Sequence, residues 1–259
     1  MIVLPTQITP AETGDPKFLV LFGDIKQGKS TICSILTQEK ENAIVIDLKD
    51  EYAFLNARKY VAKSLTDLSQ FIASVTKKNQ EIGDYYYKYI VIDNASYLEE
   101  LVLPLANAKY KKTEMGKNWT GDDVTLLPQG SGYRFLREAF FEVLSYFRDI
   151  TKHLILVCHL KDRLVDKDGE EQTELSINLT GKISQMVGRD SDALGYIFRK
   201  ENETKIKFNG SGRIIAQSRC DHLRGREIVI SESDEDGNIT AHWDRIYKEY
   251  NNNATKQAA

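Results

Sequence analysis

The chain is poor in cysteine and proline and contains no long hydrophobic run. Its 259 residues include only three cysteines, Cys33, Cys158 and Cys220, which are widely separated. Such spacing offers neither a metal-binding cluster nor a disulfide framework, so we expect reduced packing residues. No segment approaches the roughly 20 apolar residues of a membrane-spanning helix, and no export signal follows Met1. The sequence therefore predicts a cytoplasmic protein without a membrane partner.

The chain also lacks a strong excess of charge of either sign. It has 35 lysines and arginines against 38 aspartates and glutamates, which gives a formal net charge of −3. This balance excludes a polycation, so any nucleic-acid binding must come from a local basic patch. A hydrophobic content of 41% with 28% charged residues is ordinary for a globular protein with a large core.

One motif stands out against this ordinary composition. The motif GxxxxGK[ST] is matched in full by Gly23, Asp24, Ile25, Lys26, Gln27, Gly28, Lys29 and Ser30, with Thr31 next. Residues 18–22 before it read as a short buried strand, and residues 30–36 after it read as a helix. A strand, a glycine-rich loop and a helix in this order form a phosphate-binding loop, or P-loop.

Each part of the motif has a chemical role. Gly23 and Gly28 let the backbone curl until successive N–H groups point at a polyphosphate, at the positive end of the helix dipole. Lys29 would reach the β- and γ-phosphates, and the Ser30 hydroxyl would hold Mg²⁺. The sequence therefore predicts a site for a nucleoside triphosphate and Mg²⁺.

Strands and helices alternate along the rest of the chain. This alternation predicts an α/β fold with a mostly parallel sheet flanked by helices. Strands are expected at 43–47, 89–93, 153–159 and 196–198 and near 204–208 and 213–218, with a hairpin over 227–243. Helices are expected after Thr66 or Asp67, after Ser131 and near 181–188. The segments 105–130 and 161–174 are expected to be a mixed segment and a mobile charged loop.

Asp93 ends a hydrophobic strand about 60 residues after the P-loop. A carboxylate at this place is the expected Mg²⁺ partner of Ser30, directly or through water. Many P-loop ATPases place a glutamate next, to activate water, but this chain has Asn94. The catalytic carboxylate must therefore come from another segment, or hydrolysis must be slow.

This layout resembles RecA-like recombinases, and more specifically the compact phage-encoded RecA-like ATPases associated with single-strand annealing. The match spans roughly residues 17–220 and includes Gly181-Lys182 and Asp192. The resemblance implies a RecA-like core that binds ATP with Mg²⁺. It also implies a homo-oligomer, as a ring or a filament, with single-stranded DNA as partner.

The resemblance also implies roles for residues outside the P-loop. The family's catalytic glutamate follows the strand after the P-loop helix, where an ungapped reading puts Lys49, and a shift of one or two residues puts Asp50 or Glu51. His159 matches a polar residue that senses the γ-phosphate, with a satisfied core histidine as the alternative. Arg219 or Arg213 would act on the nucleotide of a neighbouring subunit, with a surface ion pair as the alternative.

A basic and aromatic segment follows the metal strand. It contains Lys109, Lys111, Lys112, Lys117 and Trp119, with Tyr110 interleaved. Cations that track phosphates and aromatic faces that stack on bases are typical of single-strand binding. Glu114, Asp122 and Asp123 in the same segment favour the alternative of a solvated surface.

These observations predict an ATPase that is stimulated by DNA and acts in phage-type recombination or annealing. Its predicted parts are a lead-in (1–16), a RecA-like core (17–220), a C-terminal β-hairpin and helix extension (221–248) and a flexible tail (249–259). Three alternatives remain: a hexameric helicase or partner-remodelling motor, a nucleotide-gated binding module with little turnover, and a small-molecule kinase. The acidic 161–174 segment would make a poor lid for a kinase.

Overall fold

The fold is taken from a computed structural model, which describes residues 14–167, 170–211 and 213–255. Most of the predicted lead-in and residues 256–259 of the predicted tail lie outside these ranges. The strands are β1 (Phe18–Gly23), β2 (Ala43–Asp47), β3 (Lys59–Val61), β4 (Tyr89–Asp93), β5 (His153–Lys167), β6 (Glu170–Ile177), β7 (Ala193–Lys200), β8 (Glu203–Lys207), β9 (Gln217–Ser218), β10 (Glu227–Ser233) and β11 (Ile239–Ala241). The α-helices are α1 (Lys29–Glu39), α2 (Leu65–Ile82), α3 (Ala95–Leu101), α4 (Leu103–Lys111), α5 (Tyr133–Ile150) and α6 (Lys182–Asp190). Short 3₁₀ turns cover Val124–Leu126, Pro128–Gly130, Trp243–Arg245 and Lys248–Thr255.

The described strands form one sheet with β1 near its middle. The main path runs β11-β10-β8-β7-β1-β5-β4-β2-β3, and the strands from β3 to β7 along it are parallel. The outer strands β8, β10 and β11 add antiparallel pairs. This is the predicted α/β, RecA-like P-loop fold with its C-terminal β-hairpin. The carboxyl ends of β1, β2 and β4 meet at one edge beside His159 of β5, and ligands of such sheets bind at this edge.

Side chains alternate across the sheet and build a core on each face. On one face, Val20, Ile92 and Leu156 pack with α2, α3, α4, α5 and α6. On the other, Leu21, Val91 and Val157 pack with α1 and with residues of the C-terminal turns. Both faces of the central strands are covered, which explains why their sequences are almost entirely apolar. Cys33, Cys158 and Cys220 are buried and free, as predicted.

Residues after the hairpin close over α1. The Trp243 indole is fully buried and donates a hydrogen bond of 2.9 Å to the Ile32 carbonyl oxygen. The Lys40 ammonium lies 3.9 Å from the ring centre of Tyr250. The described part of the predicted tail is therefore a 3₁₀ turn that packs against the helix following the P-loop.

Several local predictions are wrong. In the 161–174 segment, residues 161–167 and 170–174 form an antiparallel ribbon of β5 and β6, because backbone pairing supplies the order that their charged sequence does not show. The mixed segment 105–130 contains most of α4 and two short 3₁₀ turns. The N-cap of α2 is Ser64, whose hydroxyl accepts from the Asp67 N–H, and α5 begins after Gly132 instead of Ser131.

No helix in the described ranges is long and apolar enough to cross a membrane.

Candidate functional site

The P-loop curls around two glycines that cannot carry side chains. A Cβ atom on Gly23 would lie 2.3 Å from the Ile197 carbonyl oxygen on the adjacent strand β7. Gly28 has a φ of +87°, a backbone conformation that favours glycine. The strand ends against β7, and the loop turns directly into α1. This geometry leaves the amides of the loop and of the first turn of α1 gathered at the end of β1.

The other P-loop residues hold the loop in shape. The Lys29 ammonium donates to the carbonyl oxygens of Gly23 at 2.9 Å and Asp24 at 2.5 Å. The Gln27 side-chain oxygen accepts from the Arg199 N–H at 2.7 Å, which ties the loop to β7. Ile25 and Lys26 form the outer part of the loop, and Thr31 lies half-buried in the first turn of α1.

Ser30 and Asp93 lie together at the ends of neighbouring segments. The Ser30 hydroxyl donates to Asp93 Oδ2 at 2.8 Å, and the fully buried Tyr52 hydroxyl donates to the same oxygen at 2.7 Å. Mg²⁺ prefers oxygen ligands, so the hydroxyl and carboxylate fit the ion together with phosphate oxygens. Ser30 and Asp93 would hold Mg²⁺, while the buried Tyr52 hydroxyl orients the Asp93 carboxylate.

The turn after β2 carries Lys49 and the two candidates for the catalytic carboxylate, Asp50 and Glu51. The buried Asp47 carboxylate accepts from the N–H groups of Lys49 (3.3 Å), Glu51 (3.0 Å) and Tyr52 (3.1 Å), and so fixes the turn. The Asp50 carboxylate pairs with the Lys59 ammonium at 3.1 Å.

Lys49 and Glu51 leave this turn in different directions. The Lys49 ammonium lies 4.2 Å from the ring centre of Tyr97. Glu51 faces the nucleotide site, where its Oε1 is 3.4 Å from Asn94 Nδ2. Of the two candidate carboxylates, Glu51 therefore contacts Asn94 directly after β4, whereas Asp50 pairs with Lys59.

Asn94 connects Glu51 to His159. Its Oδ1 accepts from the N–H groups of Ser96 and Tyr97 and caps α3, which directs its amide nitrogen to the other side. That nitrogen lies 3.2 Å from His159 Nε2, in addition to its contact with Glu51. The residue that replaces the usual glutamate therefore contacts both Glu51 from the turn after β2 and His159, the candidate sensor, within β5.

Burial shifts the pKa values of these groups. It raises the pKa of the Asp93 carboxyl, an effect that hydrogen bonds from Tyr52 and Ser30 and the charge of Lys29 oppose. It also raises the pKa of the Glu51 carboxyl, with the negative charges of Asp93 and Asp47 adding to the effect. Burial lowers the pKa of Lys29 and of His159. The site therefore favours a basic carboxylate and a neutral histidine.

Arg219 and Arg213 lie away from this cluster. The Arg219 guanidinium donates to the Arg189 carbonyl oxygen at 2.7 Å, and the preceding strand β9 pairs with the first residues of β7. The P-loop lies at the opposite ends of these strands, after the last residue of β1. Within one subunit, Arg219 is therefore at the other edge from Lys29. Arg213 is exposed, and its carbonyl oxygen accepts from the Leu175 N–H.

The predicted DNA segment is largely engaged in contacts of its own. Lys109 pairs with Glu142 at 2.5 Å, and Lys117 pairs with Glu114 at 2.7 Å. The Trp119 ring packs edge-on against Tyr110, which packs in turn against Phe135. The Lys111 ammonium lies 5.5 Å from the Trp119 ring centre, and the neighbouring Lys112 is exposed. Lys111 and Lys112 are thus the lysines of this segment that are best placed for phosphate contacts.

Sequence reasoning missed two contributions to the site. The contact of Tyr52 with Asp93 joins residues 41 positions apart, and no local pattern announces it. The capping role of Asn94 was readable, because an asparagine directly before a helical segment is a typical N-cap.

Comparisons with known proteins give one family match and similarity to solved structures. The AAA domain family matches residues 15–226. The RadB recombinase structure has 12% identity and a TM-score of 0.45, over 88% of this chain and 92% of that chain. A KaiC-like protein from the hyperthermophilic archaeon Pyrococcus horikoshii OT3 has 11% identity and a TM-score of 0.43, over 87% and 89%. No curated protein matches the sequence. The family match includes all the residues gathered around the P-loop.

Proposed function

Because the chain belongs to the AAA domain family, we propose that it binds ATP with Mg²⁺ and hydrolyses the γ-phosphate bond. It works as an oligomer on single-stranded DNA, in phage-type recombination or annealing. The observation that carries the hydrolytic part is the contact of Glu51 with Asn94, which brings a carboxylate beside the Ser30–Asp93 pair.

Phosphate binding uses groups that the loop already orients. The backbone amides of the P-loop and the first turn of α1 surround the β-phosphate. The Lys29 ammonium, which donates to two loop carbonyls, exchanges these bonds for β- and γ-phosphate oxygens. Mg²⁺, held by Ser30 and Asp93, would neutralise phosphate charge during transfer. Binding energy is thereby directed to the phosphates and the metal.

Hydrolysis requires a base for the attacking water. Glu51 accepts the proton of a water molecule in line with the γ-phosphate, and Asn94 holds the carboxylate in place. The raised pKa of the Glu51 carboxyl lies closer to neutral pH, which makes the carboxylate a stronger base. Asp50 is committed to Lys59 and serves the turn instead.

His159 links the chemistry to the rest of the fold. As a neutral ring it can accept from the Asn94 amide at Nε2, while its buried Nδ1 has no partner among the described residues. A γ-phosphate that draws the ring toward it would hold the start of the β5–β6 ribbon, and loss of the phosphate would let the ribbon shift. ATP and ADP thereby favour different positions of the ribbon.

Arg219 is proposed to act on a neighbouring subunit. Its place at the sheet edge opposite the P-loop suits contact between copies stacked edge to edge. DNA would bind through the segment with Lys111 and Lys112.

The test is steady-state ATP hydrolysis with and without single-stranded DNA. Lys29→Ala should lose nucleotide binding, and Glu51→Gln should bind ATP but hydrolyse it roughly 10²- to 10⁴-fold more slowly. Asp50→Asn is the matched control, because it changes the neighbouring carboxylate, and it should keep the wild-type rate. Equal losses in Asp50→Asn and Glu51→Gln would refute the assignment of the base. Hydrolysis that ignores DNA would refute the DNA role alone.

A helicase-type motor on the same core is the second candidate. Residues at both sheet edges suit a closed ring as well as a filament. Unwinding of duplex DNA that requires a ring would favour the motor over the recombinase-like role.

A further inference from the structure

A basic cleft lies between the first turn of α5 and the loop that leads into α6. Its lining contains the cations Arg134, Arg137 and Lys182 together with the aromatic rings of Tyr133 and Phe135. None of the described residues that line it is a carboxylate, although the chain as a whole carries a net charge of −3. We infer that this cleft binds single-stranded nucleic acid through phosphate contacts and base stacking. The inference rests on the proposed DNA role and places the strand on a surface that sequence reasoning did not identify.

The cations of the cleft are available to a ligand. Arg137 and Lys182 have no ion pair with any residue in the described ranges. Arg134 uses its Nε to reach Glu138 at 2.7 Å, and its terminal nitrogens remain as donors. The lysines of the predicted segment differ, because Lys109 and Lys117 already have partners.

The aromatic wall favours a single strand over a duplex. Tyr133 is 42% exposed, and its ring lies against Gly130, where a Cβ atom would be 3.2 Å from Cδ2. A ring held in this way can stack on an unpaired base with little loss of freedom. Bases in a duplex are covered by their neighbours and cannot use it.

Both walls of the cleft are held in place by contacts with the residues beneath them. A Cβ atom on Gly132 would lie 1.6 Å from the Val124 carbonyl oxygen, so the start of α5 packs directly on backbone. On the other wall, the half-buried Thr180 N–H donates to both carboxylate oxygens of Glu99, at 3.2 and 3.1 Å. The cleft is therefore a formed surface that need not be assembled by its ligand.

The experiment measures binding of fluorescein-labelled oligo(dT) by anisotropy at several salt concentrations, with a non-hydrolysable ATP analogue present. Arg137→Ala combined with Lys182→Ala should weaken binding and reduce the salt slope by about two, one for each lost phosphate contact. Tyr133→Ala should weaken binding roughly 5- to 150-fold with little change in the salt slope. A control with Lys63→Ala and Lys77→Ala removes the same charge outside the cleft and should bind as the wild type does.

The outcomes separate this inference from the proposed function. Wild-type protein that fails to bind oligo(dT) would refute both. Binding by wild type that the cleft variants retain, but Lys111→Ala with Lys112→Ala loses, would overturn the cleft and keep the DNA role. Equal or tighter binding of duplex DNA would also overturn the cleft, because stacking on Tyr133 requires unpaired bases. Each variant is first checked for an unchanged melting temperature and ATP affinity.

Discussion

Two buried tyrosines allow a matched test of what holds the metal carboxylate in place. Tyr52 and Tyr247 are almost completely buried in the same face of the core. The Tyr52 hydroxyl donates to Asp93 at 2.7 Å, whereas the Tyr247 hydroxyl has no hydrogen-bond partner among the described residues. Replacing either by phenylalanine removes one oxygen and leaves the ring. The two substitutions should therefore change stability in opposite directions.

The magnitudes follow from the two environments. Tyr52→Phe removes a hydrogen bond to a charged group, and it should lower the free energy of unfolding by about 2 kcal/mol. For a chain of this length, that corresponds to a melting temperature lower by roughly 4–8 °C. Tyr247→Phe removes a buried hydroxyl that is not paired, so it should leave stability unchanged or raise it by about 1 kcal/mol.

The assay is urea unfolding followed by circular dichroism, without nucleotide or Mg²⁺, because bound ligands would add to the apparent stability. Equal stability of Tyr52→Phe and wild type would refute the reasoning. A loss in Tyr247→Phe as large as that in Tyr52→Phe would show that removal of a buried hydroxyl in itself, and not the bond to Asp93, sets the effect.

Three other residues give further expectations. His153 is buried, and burial lowers its pKa. The neutral ring therefore contributes stability above about pH 6.5, and this contribution is lost as the pH falls below that value. His153→Gln should flatten the pH dependence of the urea midpoint below about pH 6.5. Asn94→Ala should slow ATP hydrolysis roughly tenfold while nucleotide affinity stays near wild type, because it frees Glu51 and not the P-loop; an unchanged rate would contradict the positioning role. Gly23→Ala should lower the free energy of unfolding by about 1–3 kcal/mol, since the methyl group meets a carbonyl of β7, while Gly14→Ala, with nothing within 4 Å, should cost nothing measurable in the same urea assay.

The central strands were readable because both of their faces are buried. Apolar runs such as residues 18–22 and 89–92 show no alternation, which is typical of a parallel sheet covered on both sides. The P-loop was equally readable, since its chemistry depends on adjacent residues. The sheet and the phosphate site thus follow from local sequence.

The parts that sequence reasoning missed depend on partners far along the chain. The ribbon of β5 and β6 pairs two charged stretches whose order comes from backbone hydrogen bonds, and hydrophobicity does not report these. The different directions of the Asp50 and Glu51 side chains follow from the shape of the turn, which is fixed by the bonds that Asp47 accepts from it. The basic cleft joins residues about 50 positions apart.

The bond between Trp243 and Ile32 has a consequence for protein synthesis. The two residues are separated by 211 positions, so at about 5–20 residues per second the ribosome needs roughly 10–40 s to supply the second after the first. Throughout that interval, the outer face of α1 lacks the indole that covers it. A nascent chain on the ribosome should therefore bind ATP weakly, and its affinity for ATP should rise only after the hairpin has been synthesised.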